Sequence, residues 1–311
     1  MKFYIIKRIL WMIPIFIGIS FFSFILINLS PSDPAEVAIR VSGTTPTEEN
    51  VAEIRQELGL DKPFMTRYAD WITKALHGDF GKSYITRQPV VNEFAEAIPA
   101  TLYLAAAALV IILTVSIAAG VFCALQEGSA LDILIRGLIF VGTAIPSFWV
   151  GILLMWLLAV KIPVFPTSGM NTPASVVLPA VTLALGYIAT YVRLLRNTMI
   201  QNKQANFVLY AKVRGLKNST ITKHVLKNSL HSSLTAVGMS IPKLIAGTVV
   251  VENIFAWPGV GRLCVTAIFD RDFPIIQAYV LIMAILFVVC NLLVDIGVTV
   301  LDPRMRQEEG A

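Results

Sequence analysis

An almost unbroken apolar run from Ile9 to Leu29 opens the chain, behind the basic residues Lys2, Lys7 and Arg8. About 20 apolar residues suffice to cross a bilayer. This run is too long for the core of a signal peptide, and no small-residue cleavage site follows it, so it reads as a retained first transmembrane helix. Further apolar stretches fall near 99–125, 133–160, 177–200, 231–252 and 275–300. With the first they predict an all-α polytopic membrane protein of six transmembrane helices. Pro146 interrupts the third stretch and Pro242 the fifth. A proline inside a helix removes a backbone hydrogen bond and kinks it, which permits either a static kink or one that lines a pathway.

Between the first two spans lies the one long polar stretch, 30–98, with 11 of the 20 acidic residues but only 7 of the 25 basic ones. Its pattern is helical. In "TTPTEENVAEIRQELG" the expected N-cap is Thr45, with Pro46 opening the helix and Glu48 completing a capping box. Val51, Ile54 and Leu58 share its apolar face, and Gly59 stops it. A second helix is expected from Phe64 to about Leu76, with Phe64, Tyr68, Trp71 and Ile72 on its apolar side. The organisation read from the pattern is an N-terminal span (1–29), an extracytoplasmic helical module (30–98), a five-span core (99–303) with a cytoplasmic loop at about 200–228, and a cytoplasmic tail (304–311).

Composition agrees with a membrane protein: 56% of the 311 residues are hydrophobic and 14% charged, against about 25% charged in soluble domains. The net charge of +5 could suggest nucleic acid, but its placement indicates otherwise. The loop between spans four and five carries eight Lys and Arg residues from Arg193 to Lys227, and no Asp or Glu occurs between Asp132 and Glu252. By the positive-inside rule that loop and both termini are cytoplasmic. Cys123, Cys264 and Cys290 are far apart and form no disulfide or metal motif.

Candidate chemistry is sparse. Gly81-Lys82-Ser83 resembles the tail of a phosphate-cradling loop, but Leu76 stands where that loop needs its first glycine and no strand precedes it. No paired carboxylates or Ser/His pair suggests catalysis. His77, His224 and His231 do not form a ligand set, and Met199, Met239 and Met283 read as packing residues. An ion-coupled carrier would need ionisable residues mid-membrane. Lys243, Glu252 and Asp295 are the candidates, and no inverted repeat accompanies them. In "AWPGVGR" (256–262), Pro258-Gly259 suits a type II turn, and Trp257 and Phe255 suit a membrane interface. The segment is either a simple anchored turn or a re-entrant element at the mouth of a pathway. The informative segment is "QNKQANFVLYAKVRGLKNSTITKHVLKNSL", two short helices broken at Gly215, with Asn218 as N-cap of the second.

The spacing of "LYAKVRG" and "HVLKN" resembles the EAA loop of bacterial ABC importer permeases. The family's glycine matches Gly215 and its second alanine Ala211. Its glutamate falls on Leu209 and its first alanine on Tyr210, a departure typical of the dipeptide, oligopeptide and nickel branch. "LGLDKPFMTRYADWITKALHGDFGKSY", "VGTAIPSFWVGILL", "FPTSG", "VENIFAWPGVGR" and "LVDIGVTVLDPRMR" resemble that branch in order along nearly the whole chain. "ENIFAWPGVGR", "VVCNLLVD" and "DPRMRQEEGA" are most similar to the nickel permease B subunit. The resemblance implies a type I ABC importer permease core and a non-catalytic subunit forming half of a pathway for nickel, as ion or chelate. A dipeptide or oligopeptide importer is the alternative. Implied partners are a second homologous permease, two ABC ATPases that bind ATP and Mg, an extracytoplasmic solute-binding protein and the bilayer. No cofactor or metal is held by this chain. Implied ATPase-coupling residues are Leu209, Tyr210, Ala211, Arg214, Gly215, Leu216 and Asn218. Pro146, Pro242, Trp257, Pro258 and Gly259 are candidate pathway or gate positions.

Overall fold

The structure, a computed structural model, describes residues 2–29, 33–41 and 45–301, with side chains between 10 and 297. The tail read at 304–311 lies outside them. The described residues are helical, and their one β-type contact is an isolated bridge between Lys82 and Pro89. Four helices are long and apolar enough to cross a membrane, and six spans result if each of two bent pairs counts as one. The chain divides into two compact units, 1–101 with 258–288, and 102–257 with 289–311.

In the first unit, α1 (Lys2–Asn28) presents Phe21 and Phe24 to α4 (Phe64–Leu76). Phe64, Tyr68 and Trp71, on the face expected from their spacing, meet these two rings with centroids 5.1–6.0 Å apart. Each aromatic pair contributes about 0.5–1.5 kcal/mol beyond its buried area. The Tyr68 hydroxyl also reaches Ser20 Oγ at 2.9 Å. Between them run α2 (Pro34–Val41) and α3 (Glu48–Glu57). Helix α3 starts later than expected. Its N-cap is Thr47, whose extended backbone lets Oγ1 accept the Asn50 N–H at 3.3 Å, so Thr45 is no cap and Glu48 is the first helical residue. Gly59, at φ 66°, ends it as expected.

Gly81-Lys82-Ser83 has a structural role. Ser83 is buried and donates its hydroxyl to Asp272, which also accepts the Tyr84 N–H at 3.2 Å. Ser83 Oγ in turn accepts the N–H groups of Ile85 (3.2 Å) and Thr86 (3.1 Å). The segment thereby joins the first unit's core, where Val90, Phe94 and Ala97 of α5 (Val90–Leu125) pack with Val260 and Ala267 of α13 (Val260–Asp270) and with Ile275 and Ala278 of α14 (Phe273–Leu301). Burial, and after it the Asp272 and Asp33 carboxylates, push the Tyr84 phenol up to about 12, so it is neutral at physiological pH. Ser83→Ala would leave the buried Asp272 carboxylate short of its hydroxyl donor, costing about 1–3 kcal/mol. A thermal melt of the detergent-purified chain measures this, and an unchanged midpoint would refute the role.

The second unit is organised around α8 (Val177–Lys203), which buries eleven residues. The apolar stretch expected as span three is two helices, α6 (Ala130–Ala144) and α7 (Ser147–Met155) continued by a π-turn at Trp156–Lys161, bent by 101°. The proline causes this. A residue before proline is pushed out of the α region, and Ile145 sits at φ −89°, ψ 128°. The fifth stretch breaks by 44° between α10 (Asn218–Gly238) and the pair α11 (Ile241–Ala246) and α12 (Thr248–Ile254). There Pro242 falls in the first turn of α11, where its missing N–H costs no helical bond. Both prolines begin helices; neither kinks a continuous one.

Candidate functional site

Helix α9 (Asn206–Val213) and the start of α10 form the helix–turn–helix expected at the basic loop. The turn follows from the backbone. Gly215 takes φ 70°, its N–H bonds the Lys212 carbonyl at 2.9 Å, and the Leu216 N–H bonds that of Ala211 at 3.1 Å. This is a Schellman termination, which favours glycine at the left-handed position. Asn218 is not the N-cap expected of it. Lys217 holds that position without a side-chain cap bond, and Asn218 is the first helical residue, exposed to solvent.

Helical spacing sorts the motif into two faces. Val208 and Ala211 point inward, into a core with Ala124, Leu195, Met199, Ile221 and Val225. Leu209, Tyr210 and Val213 are 61%, 69% and 79% exposed, and Leu216 is also exposed. Contiguous exposed apolar side chains of this kind are characteristic of interaction sites. Arg214, Gly215 and Asn218 share the exposed end, and no acidic side chain stands between Asp132 and Glu252 to offset Lys212, Arg214 and Lys217. The structure thus separates Ala211, which anchors the motif, from Leu209, Tyr210, Arg214, Gly215, Leu216 and Asn218, which it presents.

Beneath the motif is an ionic anchor not recognised from sequence. Asp132 is fully buried and accepts two hydrogen bonds of 2.8 Å from Arg196 Nε and Nη2, with the Gly128 N–H at 3.1 Å and Arg136 Nε at 3.3 Å. Its own backbone N–H is capped by Ser129 Oγ at 3.2 Å. The pair joins α6 to α8. Nearby, Lys203 donates to the Ala124 carbonyl, and Asn202 Nδ2 donates to the buried Ser229 Oγ at 2.8 Å. The sequence signal was present: Asp132 is the last acid before the acid-free stretch, directly after a Gly-Ser turn. Arg196, read from sequence, is one of the eight basic residues of the loop.

The other candidate positions differ in exposure. Pro146 is exposed and Pro242 buried. Trp257 and Phe255, expected at a membrane interface, are buried instead, at 0% and 1% exposure, with Trp257 stacked on Tyr103 at 6.1 Å. The turn that folds them inward is not the expected type II turn at Pro258-Gly259. Gly259 has φ −98° and caps α13. The reversal occurs earlier, where Ala256 adopts φ 48° and the Trp257 N–H closes onto the Glu252 carbonyl at 2.8 Å. The Phe255 carbonyl also holds the Gly169 N–H of "FPTSG" at 2.9 Å. Among the described residues no group of three or more His, Cys, Asp or Glu side chains could hold a metal ion.

The sequence was compared with known proteins. Residues 116–307 match the family model described as binding-protein-dependent transport system inner membrane component. Residues 1–105 match the model of the N-terminal part of such components. The chain is 39% identical over 305 residues to the metal-staphylopine import system permease protein CntB of Staphylococcus aureus, covering 98% of each. It is 36% identical over 317 residues to the oligopeptide transport system permease protein AppB of Bacillus subtilis, covering 98% of this chain and 99% of that one. A crystal structure of an amino acid ABC transporter aligns with 76% of this chain at 16% identity and a TM-score of 0.49. The chain, an inner-membrane, multi-pass and non-catalytic permease subunit of an ABC importer, belongs to the family of binding-protein-dependent transport system inner membrane components.

Proposed function

We propose that this subunit forms half of the translocation pathway for nickel carried as a chelate. A second homologous permease supplies the other half, two ABC ATPases that bind ATP and Mg dock against α9 and α10, and an extracytoplasmic solute-binding protein delivers the cargo. The observation that carries the coupling role is the exposed apolar end Leu209, Tyr210, Val213 and Leu216, held on a turn whose inner face is fixed in a packed core. Force applied there by closing ATPases reaches α8 through Leu195 and Met199, and reaches α6 through Arg196 and Asp132. The breaks at Pro146 and Pro242 are the points where α6–α7 and α10–α12 change direction, and such breaks suit a pathway that alternates between two accesses. The Lys and Arg distribution supports cytoplasmic placement of both termini and of the coupling loop.

Similarity to a metal-chelate permease over nearly the full chain favours the metal reading. Binding a bare ion ordinarily takes three or four protein ligands, whereas a chelate brings its own. The oligopeptide relative supports the alternative cargo. Uptake of radioactive nickel by cells with and without the gene, with mixed dipeptides in excess, separates the two. Nickel uptake lost on deletion and indifferent to dipeptides is the expected result. Unchanged nickel uptake with lost growth on peptides would overturn the metal reading and leave the permease role intact.

A further inference from the structure

Helix α8 belongs to the candidate span Pro173–Lys203, 61% of whose apolar window is buried inside the protein, against 6–33% in the other single-helix spans. The sides it leaves open should meet lipid and be apolar, as on α6, where Leu134, Leu138 and Val141 are 56–64% exposed. They are not. From Val177 to Gln201 the exposed residues are Leu185, Gly186, Thr190, Arg193, Asn197 and Gln201. All but Leu185 follow a spacing of three or four, so they form one continuous stripe along the helix. Gly186 and Thr190 stand in the middle of the span, and a Cβ built at Gly186 meets nothing within 4 Å. Arg196 turns inward to Asp132, whereas Arg193 is exposed and has no ion pair among the described residues. Lys243 of α11 repeats the pattern: it is exposed, without an ion pair among the described residues, at the centre of the apolar stretch 231–252. Gly247, one turn on, is also exposed, and a Cβ built there lies 3.6 Å from the hydroxyl of Tyr187, the residue after Gly186. Neither α8 nor α11 carries an acid to balance these cations.

Building on the pathway role proposed above, we infer that the α8 stripe from Gly186 to Asn197, with Lys243, lines the water-filled passage and makes it favour anionic over cationic cargo. Lipid against the stripe would strand a hydroxyl, an amide and a guanidinium in hydrocarbon, which is costly. A protein contact would desolvate Arg193 and require an acid opposite it, whereas water accommodates it with none. Unpaired cations along a narrow aqueous space raise the local concentration of anions and repel cations. A metal held by a chelator whose carboxylates outweigh the ion's charge is therefore favoured there, and a bare divalent metal ion is disfavoured.

Thiol labelling in membrane vesicles that hold the assembled transporter tests this, with Thr190→Cys and, as a lipid-facing control, Leu138→Cys in α6. The signal is read above that of the parent chain, whose Cys123 and Cys264 are buried. Thr190→Cys is expected to react with water-soluble methanethiosulfonates and Leu138→Cys to stay unmodified. Normalised to their rates with a free thiol in solution, the anionic sulfonatoethyl reagent should be favoured about tenfold over the cationic trimethylammonium one. Arg193→Gln combined with Lys243→Gln should remove that preference. Thr190→Cys as inert as Leu138→Cys would overturn the passage face and assign it to lipid or to a helix contact, for which Gly186 and Thr190 also have the spacing. A preference that survives the loss of both cations would overturn the charge role. Nickel uptake by the wild type reads the transport role separately: uptake alongside an inert Thr190→Cys would remove this face and leave the permease reading intact.

Discussion

Asp132→Ala is expected to lower the stability of the folded chain by about 3–5 kcal/mol, the usual cost of removing one partner from a buried ion pair. Asp132 is inaccessible to solvent, and Arg196 keeps only 13% of its side chain exposed. The substitution therefore leaves a guanidinium mostly desolvated, loses the acceptor of the Gly128 N–H, and detaches α6 from α8 beside the helix–turn–helix. Arg136, half exposed, can relax into water and adds little. The double variant Asp132→Ala with Arg196→Leu should recover much of the loss, because no buried charge then remains unpaired. Thermal unfolding in detergent or nanodiscs measures both. A single variant within about 1 kcal/mol of wild type would show that the pair is not a structural anchor.

Gly215→Asp should leave the protein inserted yet reduce ATP-driven uptake about tenfold or more, since each 1.4 kcal/mol lost from docking is a factor of ten. The strain at φ 70° costs about 1–2 kcal/mol for an L side chain, with Asp at the low end. Space is not limiting, because nothing lies within 4 Å of a Cβ built there. The second effect is the new carboxylate, which adds a desolvation cost to an end made of Leu216, Val213 and Tyr210. Gly215→Ala isolates the backbone part and should reduce uptake less. Substrate-stimulated ATP hydrolysis by the assembled complex is the measurement. Normal stimulation in the Asp variant would remove the coupling role proposed for this turn.

The two effects differ in kind. Asp132 acts within the subunit, so its loss should appear in a melt of the isolated chain. Gly215 is proposed to act at a surface that docks a partner, so its main loss should appear only in the assembled transporter. That contrast separates a structural anchor from a docking element.

What could be read directly from the sequence was local. Helix α4 runs over Phe64–Leu76 as its apolar spacing indicated, and Gly59 and Gly215 end helices as isolated glycines in such patterns do. The apolar stretches, the positive bias of the 193–227 segment and the two-helix motif around Gly215 are likewise properties of consecutive residues. Tertiary structure decided what depends on distant partners. Ser83 meets Asp272 across 189 positions and Arg196 meets Asp132 across 64, and no local pattern names either pairing. The inward turn at Ala256 that buries Trp257 and Phe255 was set by packing rather than by hydropathy. Hydropathy records how much a residue prefers to leave water, and lipid and protein core satisfy that preference equally well. Only the fold chooses between them, by which side chains it brings within contact.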